Sequence, residues 1–306
     1  MKTRILKKIF NGNLLKIGGR VVHSPRIVSW GVMKELGCDE FLEYMFLTRV
    51  LWDKKILTSK MWMEAFNIQE PIYKEWCLEF LCSMQMKPTV KDLGVTTDKF
   101  LKFRLGVKKH DVTLSELGNL MGLYSQEELR NKDFKAFITS GDRGRNNFDA
   151  NGFWKRISSE ERLEYGVSQV ASIKKPLLQV LHRVIVQSIL HRTFSVNEVF
   201  EEDLWVLQSL EERHPRRHLN VAWVIVEYLH RKSTTGQKNY LCGGHFISRI
   251  ARNLGLFNEE DMKGFSKPVI PLSTDIKWFT HLCESDGKLK EFPEVLDVDP
   301  VTTWVG

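Results

Sequence analysis

The helical periodicity of the carboxyl half of the chain is the feature that most constrains its fold. Apolar residues between residues 176 and 192 recur at helical spacing and share one face. Residues 201–214 begin with acids and end with bases, and residues 219–232 also end with bases, an order that complements the helix dipole. A further helix is predicted over residues 244–254, where Gly255 supplies a left-handed stop. These patterns predict consecutive helices, each of which buries one face.

The amino half adds further helices and one hairpin to the predicted fold. Helical spacing starts at about Glu35 and returns over residues 67–82. Residues 100–114 alternate apolar and polar side chains around a Lys-Lys-His-Asp turn, which is typical of a short β-hairpin. Thr113 and Glu116 then form a capping-box signature for the next helix. The predicted fold class is therefore mainly α: a multi-helix globular domain with one short β-hairpin, flanked by a basic arm and an irregular tail.

The distribution of charge sets the predicted domain organisation. The 306-residue chain carries 45 Lys and Arg against 38 Asp and Glu, for a net charge of +7. Residues 1–34 hold eight of these bases and no acid, so the net positive charge lies there. We predict a basic arm over residues 1–34, a helical domain over residues 35–265 and a Pro-containing tail over residues 266–306. A subdomain break is predicted at residues 140–152, which are rich in Gly, Asn, Asp and Arg.

The cysteines and the hydropathy of the chain indicate the cellular compartment of the protein. The five cysteines are odd in number and widely scattered, which favours a reducing environment over a disulfide framework. The basic amino terminus lacks the uninterrupted apolar stretch of a signal peptide, because Lys7, Lys8 and Lys16 break it. No apolar run approaches the roughly 18–20 residues that span a bilayer. We therefore expect an intracellular protein of the cytoplasm or nucleus, with no membrane partner.

Six blocks of sequence between about residues 50 and 256 resemble the open-reading-frame-one protein family of plant Athila-type long-terminal-repeat retrotransposons. The blocks are residues 61–84, 103–129, 153–158, 177–192, 201–210 and 220–256. The short motifs that carry the resemblance are Glu70-Pro71-x-Tyr73, Phe103-Arg104-Leu105-Gly106, Gly122-Leu123-Tyr124 and Gly243-Gly244-His245-Phe246. Residues 103–123 are also similar, more weakly, to the plant mobile domain, which is an analogy at the level of the fold.

The resemblance implies a transposon-encoded, plant-specific protein with no assigned catalytic activity. The role implied for such a protein is structural or interaction-based, in the manner of a capsid. The chain would then be a fragment or a domesticated copy of such an open reading frame.

The motifs of the usual retroelement enzymes are missing from the sequence. It contains no Asp-Thr/Ser-Gly, Tyr-x-Asp-Asp, Cys-x-x-Cys or His-Glu-x-x-His, and no P-loop or Gly-x-Gly-x-x-Gly. We expect no catalytic residue, metal site or cofactor, and no small-molecule substrate is evident. Cys242-Gly-Gly-His245 could begin a metal site or form a nucleophile pair, but a helix start with close glycine packing is favoured. His182 is interpreted as a satisfied buried histidine, and Cys77 and Cys82 as core residues.

Basic side chains in the predicted arm are the candidate contacts to nucleic acid. The candidates for phosphate contact are Arg4, Lys7, Lys8, Lys16, Arg20 and Arg26. The basic turn at residues 213–218 is interpreted as a solvated surface, because the helix after it is too apolar for a recognition helix. The leading hypothesis is a non-enzymatic retroelement protein with a structural or assembly role, which self-associates and binds RNA or DNA backbone without sequence specificity. The alternative is a domesticated protein-interaction module that does not bind nucleic acid.

Overall fold

The computed structural model describes residues 17–52, 54–86, 100–140, 148–192, 194–211, 219–234 and 240–290. The helices in these ranges are α1 (Trp30–Glu35), α2 (Asp39–Phe46), α3 (Met61–Phe66), α4 (Lys74–Ser83), α5 (Leu114–Leu120), α6 (Gln126–Arg130), α7 (Lys132–Ser140), α8 (Ala150–Ile157), α9 (Pro176–Val184), α10 (Glu201–Glu211), α11 (Val221–Thr234), α12 (Gly244–Asn253) and α13 (Glu259–Met262). The strands are β1 (Val21–Val22), β2 (Arg26–Ile27), β3 (Thr48–Trp52), β4 (Lys55–Ser59), β5 (Gln85–Met86), β6 (Leu101–Leu105), β7 (Lys108–Val112), β8 (Tyr240–Leu241) and β9 (Leu272–Ser273). Short 3₁₀ segments cover Val170–Ser172, Ile276–Trp278 and Thr280–Leu282, and a π-helical segment covers Ile185–Ile189.

The prediction of a mainly α fold with one hairpin is wrong. The structure is 51% helical and 15% strand, and the strands form several small sheets. The predicted hairpin is β6 and β7, but β3 and β4 form a second antiparallel hairpin and β5 adds a third strand beside β6. The remaining strands have two residues each, and β1 pairs with β8, more than 200 residues away. Such pairings leave no local periodicity for a sequence pattern to detect.

The described chain forms two compact units, each built from separated stretches of sequence. Among the described residues, the first unit draws on the stretches 17–25, 67–140 and 220–272, and the second draws on the stretches 26–66, 148–219 and 273–290. Most of the predicted break at residues 140–152 lies outside the described residues, which do not include residues 141–147. Among the described residues, no helix combines the length and the apolar character that a bilayer crossing requires.

The first unit packs α4 between the three-stranded sheet and α12. Strand β6 alternates buried and more exposed residues, so that Leu101, Phe103 and Leu105 face the core. The ring of Phe103 packs against Phe80 of α4, with ring centroids 4.7 Å apart. The predicted capping box is confirmed, because the Thr113 hydroxyl accepts from the Glu116 amide and the Glu116 carboxylate accepts from the Thr113 amide. Helix α5 therefore begins where the sequence indicated.

A buried carboxylate holds the turn between β6 and β7. Gly106 and Val107 both adopt a left-handed backbone, with φ of 61° and 67°. The Glu79 side chain, only 7% exposed as a residue, accepts hydrogen bonds from both amides, at 3.0 and 2.7 Å. The tight turn is therefore fixed by α4, and this anchoring allows a β-branched residue to occupy an unfavourable conformation.

Replacing Val107 by asparagine is expected to raise the free energy of unfolding by about 1 kcal/mol, because asparagine tolerates the left-handed region at lower cost. Val107 is 42% exposed, so little buried surface is lost, and its amide would still donate to Glu79. Denaturant unfolding would measure the gain. Val107→Thr is the matched control, because it stays β-branched and should bring no gain. A lower stability of the asparagine variant would contradict this account of the turn.

The second unit surrounds α9 and α10 with α8, α2 and the π-helical segment. Pro176 occupies the first turn of α9, where its missing N–H has no intrahelical partner. Helix α10 lies against both α8 and α9, and Trp154 of α8 is fully buried. The π-helical segment directly follows α9, and the Ser188 hydroxyl within it donates to the Val184 carbonyl. Side chains of α9 and α10 thereby face each other in the core of the unit.

The ends of the described chain belong to the packed units. Ile17 and Met33, expected in a loosely ordered arm, are 2% and 0% exposed. Val269, expected in an irregular tail, exchanges backbone hydrogen bonds with Ile72 in the first unit. In the second unit the Leu289 amide donates to the Leu36 carbonyl. Residues 17–34 and 266–290 thus contribute to the units, while residues 1–16 and 291–306 lie outside the described ranges.

Candidate functional site

The predicted phosphate contacts fall into three groups. Arg4, Lys7, Lys8 and Lys16 lie outside the described residues. Arg20 is 8% exposed, and its guanidinium donates to the Lys232 carbonyl at 3.1 Å. Arg26 in the second unit is half-buried, with its guanidinium 4.7 Å from the centre of the Trp278 ring. The structure therefore places Arg20 in the packed first unit and Arg26 beside Trp278 in the second unit.

Cys242 and His245 lie at a helix start, as the favoured interpretation of their motif expected. Strand β8 ends just before Cys242, Gly243 turns the chain with φ of 70°, and α12 begins at Gly244. A Cβ on Gly244 would lie 2.2 Å from the Ile72 Cγ2 atom and 2.9 Å from the Cys77 Sγ atom. The glycine pair thus allows both a left-handed turn and a close approach of α12 to its neighbours.

The electrostatics of His245 disfavour a nucleophile pair. Burial, followed by the positive charge of His23 and Arg249, lowers the pKa of His245 to about 3. The imidazole is therefore neutral at physiological pH and is 1% exposed. Its ring packs on Phe246, with centroids 4.0 Å apart, and Cys242 is 6% exposed. This geometry matches the packing role of both side chains.

Three other buried thiols are held in their protonated, unreactive form. Burial raises the pKa of Cys38 and of Cys77 to about 12, and that of Cys82 to about 11. A thiolate is the reactive species of cysteine, so these side chains stay protonated at neutral pH. Within the described ranges no group of three or more His, Cys, Asp or Glu residues is placed to hold a metal ion.

The main polar cluster of the second unit joins His182, Asp203 and Arg192. His182 Nε2 lies 3.2 Å from Asp203 Oδ2, and the Arg192 guanidinium donates to Asp203 Oδ1. The Phe200 amide also donates to Asp203 Oδ2, at 2.9 Å, so the carboxylate caps the start of α10. The side chains of His182 and Asp203 are both fully buried. The cluster therefore ties α9, the loop after the π-helical segment and α10 together.

The cluster controls the ionisation of Asp203. Burial alone would raise the pKa of this carboxyl, but the hydrogen bonds and charges of His182 and Arg192 together lower it. Asp203 is thus a carboxylate across the physiological range. Because its side chain and that of His182 have no exposed surface, the arrangement suits structural anchoring rather than contact with a substrate.

Sequence reasoning predicted His182 to be buried and satisfied. It is buried and bonded through Nε2, but within the described part of the chain its Nδ1 atom has no hydrogen-bond partner. The sequence did not indicate Asp203 as the partner of Nε2. The three acids that open α10 were interpreted only through the helix dipole. A usable signal was present, because Asp203 lies three residues after Phe200, the spacing at which a side chain reaches back to the first free amide of a helix. No sequence signal indicates that Arg192, which follows the π-helical segment, would reach the same carboxylate.

Comparison of the chain with models of known families, with curated proteins and with solved structures finds no match. The resemblance to the Athila-type family therefore remains a proposal.

Proposed function

We propose that the chain is a non-enzymatic structural or assembly protein of the Athila-type open-reading-frame-one class. In this proposal the folded protein self-associates, and its amino-terminal cations contact the backbone of RNA or DNA. The protein acts in a reducing compartment, the cytoplasm or nucleus. All five cysteines are free thiols, and four of them are buried, which supports that location.

The observation that carries the proposal is that the motif residues make contacts that stabilise the fold. The Glu70 carboxylate, at the start of one motif, accepts a hydrogen bond from Arg252 of α12 at 2.8 Å, and Arg249 Nε of the same helix forms an ion pair with it at 2.8 Å. Arg252 also lies over the Phe257 ring, 4.1 Å from its centre. Gly244 permits the close approach of α12 described above. The motif residues that resemble the family thus stabilise the fold, as expected of a protein with a structural role.

The proposed contact to nucleic acid depends on residues 1–16. This segment contains Lys2 and the four candidates Arg4, Lys7, Lys8 and Lys16, and no acid. Arg20 is already bonded to a backbone carbonyl, so it adds little to a phosphate site. Because β1 and α1 belong to the packed units, charge substitution tests the segment more cleanly than truncation at residue 35 would.

Replacing Arg4, Lys7, Lys8 and Lys16 by glutamine is expected to weaken RNA binding and to flatten its salt dependence. Loss of four phosphate contacts to a single strand would reduce the slope of log K against log salt by about 3. Filter binding at several salt concentrations would measure both effects.

A matched control removes four exposed lysines from the first unit: Lys108, Lys109, Lys132 and Lys135. The control has the same net charge as the first variant and should retain most of the slope. Equal losses in the two variants would show only non-specific attraction to a basic protein, and an unchanged slope in the first would remove the role of residues 1–16.

A second candidate function is a domesticated protein-interaction module that does not contact nucleic acid. The exposed apolar side chains of the second unit favour it, because Tyr165 is 88% exposed and Val167 is 62% exposed. The same filter-binding experiment separates the two candidates, since this module would not retain RNA at any salt concentration.

A further inference from the structure

An exposed apolar surface lies on two adjoining loops of the second unit. Tyr165 and Val167 stand on one loop, with 88% and 62% of their surface exposed, and Phe194 on the other is 56% exposed. The Tyr165 ring meets Phe200 edge-on, with centroids 5.1 Å apart. We call Tyr165, Val167, Phe194 and Phe200 the Tyr165 surface. Its exposed apolar area is about 400 Å², comparable to the largest apolar patch of a typical soluble monomer, which is often functional.

Hydrogen bonds fix the loop that carries Tyr165. The Val167 amide donates to the Glu164 carbonyl at 3.1 Å, and Gly166 takes a left-handed φ of 72°, so the chain makes a tight turn. Below the turn, the Glu160 carboxylate accepts from the hydroxyls of Ser168, at 2.8 Å, and Ser172. The bond from Ser172 is the main cause of a lowered pKa at Glu160. Tyr165 and Val167 are therefore displayed on a preformed turn, which lowers the ordering cost of binding.

The second loop is joined to the first and is held from beneath. The Val170 amide donates to the Asn197 carbonyl at 2.7 Å, and the Val199 amide donates to the Ser168 carbonyl at 2.9 Å. Arg192 lies over the Phe200 ring, 4.3 Å from its centre, and donates to the Glu198 carbonyl at 2.9 Å. Arg192 also bonds the buried Asp203. The two loops consequently form one braced surface.

Acidic side chains border the Tyr165 surface. Glu164 precedes Tyr165 and Glu201 follows Phe200, and both are exposed. Residues 159–167 hold three acids and one base, and residues 194–203 hold four acids and no base. Asp203 is matched by Arg192, but the balance of the two loops remains acidic. A partner for this surface should therefore combine apolar residues with positive charge.

We propose that the Tyr165 surface binds residues 1–16 of a second copy of the chain, so that copies associate head to tail. This inference rests on the proposed assembly function and names its interface. Residues 1–16 contain five cations, no acid and seven apolar residues, namely Met1, Ile5, Leu6, Ile9, Phe10, Leu14 and Leu15. The segment thus complements the surface in charge and in apolar character.

The geometry of this association has consequences. A head-to-tail contact joins different surfaces of the two partners, so each copy of a bound pair still has one of its two surfaces free and association continues into rings or filaments. The apolar area is small for a protein interface, so the contact should be weak, reversible and sensitive to salt.

Sedimentation velocity over a concentration series, at low and high salt, tests the proposal on the full chain. The average mass of the wild-type protein should rise with concentration and fall with salt. Glu164→Lys with Glu201→Lys, and separately Lys7→Glu with Lys8→Glu, should each weaken association by about tenfold or more. The two charge reversals combined in one chain should restore association. Tyr165→Ser with Val167→Ser should weaken it without changing its dependence on salt.

Glu259→Lys with Glu260→Lys is the matched control, because both glutamates are exposed on α13 of the first unit. This control should associate like the wild type. Wild-type association that survives both charge reversals would overturn the inference while leaving an assembly role through another surface. A wild-type chain that stays monomeric at every concentration would remove the assembly role and the inference together. Circular dichroism of each variant shows that any loss of association is not a loss of fold.

Discussion

Replacing Asp203 by asparagine is expected to lower the local stability of the second unit by about 3–5 kcal/mol, since it removes one partner of a buried ion pair. Arg192 would lose its counter-charge although its side chain is only 14% exposed, and His182 would lose the anionic partner of its Nε2 atom. Native-state hydrogen exchange gives the most local measurement. Amides of α9 and α10 should lose roughly two to three and a half orders of magnitude of protection.

A neighbouring acid provides the control for Asp203. Glu201 lies in the same first turn of α10 but is exposed, so Glu201→Gln should change stability by no more than about 0.5 kcal/mol. If Asp203→Asn were equally mild, the buried cluster would contribute little, and α9 and α10 would be held by apolar packing alone.

The effect of Asp203 should also depend on pH, with a definite sign. Its pKa is lowered in the folded state, so its stabilising contribution is complete above the usual value of an aspartate. The contribution is lost as the pH falls through the folded-state pKa. The difference in unfolding free energy between the wild type and Asp203→Asn should therefore shrink below about pH 4. A difference that stays constant between neutral and acidic pH would contradict the assignment of Asp203 as the buried anion.

The second large effect is expected at Gly118, in the interior of α5. A Cβ at this position would lie 2.1 Å from Tyr124 Cε2 and 2.7 Å from Tyr124 Cδ2. Tyr124 is 4% exposed, so its ring has little room to move away. Gly118→Ala should therefore destabilise the first unit by about 1–3 kcal/mol through overpacking, although alanine is the better helix former.

The sign of this effect should reverse when Tyr124 is truncated. In a Tyr124→Ala background the space beside Gly118 is open, and Gly118→Ala should then stabilise α5 by up to about 1 kcal/mol. Denaturant unfolding of the four members of the cycle, together with hydrogen exchange over α5, would measure the reversal. An equal cost of Gly118→Ala in both backgrounds would place the strain in the helix backbone rather than at the ring.

Sequence patterns predicted the helices and strands that are determined by residues close together in the chain. The hairpin of β6 and β7 follows from alternation, and the start of α5 follows from Thr113 and Glu116. Elements that depend on distant partners were not predicted. Strand β1 exists because residues 21–22 meet β8, and nothing within those two residues indicates a strand. Strand β4 of the second hairpin was not predicted because its first two residues, Lys55 and Ile56, are both exposed and only the following residues alternate in burial.

The same distinction applies to the residues of the candidate sites: features set by nearby residues were predicted, and features set by tertiary contacts were not. The burial of His182 followed from its apolar helix face, but its bond to Asp203 depends on how α9 and α10 meet. Arg20 was predicted to contact phosphate because its segment is basic, whereas the structure engages it with the Lys232 carbonyl. Tyr165 gave no signal in the sequence, because an aromatic residue in a polar stretch does not reveal whether it faces the core or solvent.

The interleaved construction of the two units has a consequence for synthesis of the protein on the ribosome. The first unit needs residues up to 272, and the second needs the Leu289 amide to meet the Leu36 carbonyl. Neither unit can complete its core while the carboxyl quarter of the chain is still inside the ribosome. Apolar segments that are synthesised early therefore remain without the partners that are synthesised late. A premature stop before residue 272 would therefore yield a chain for chaperones or proteases, with neither unit complete.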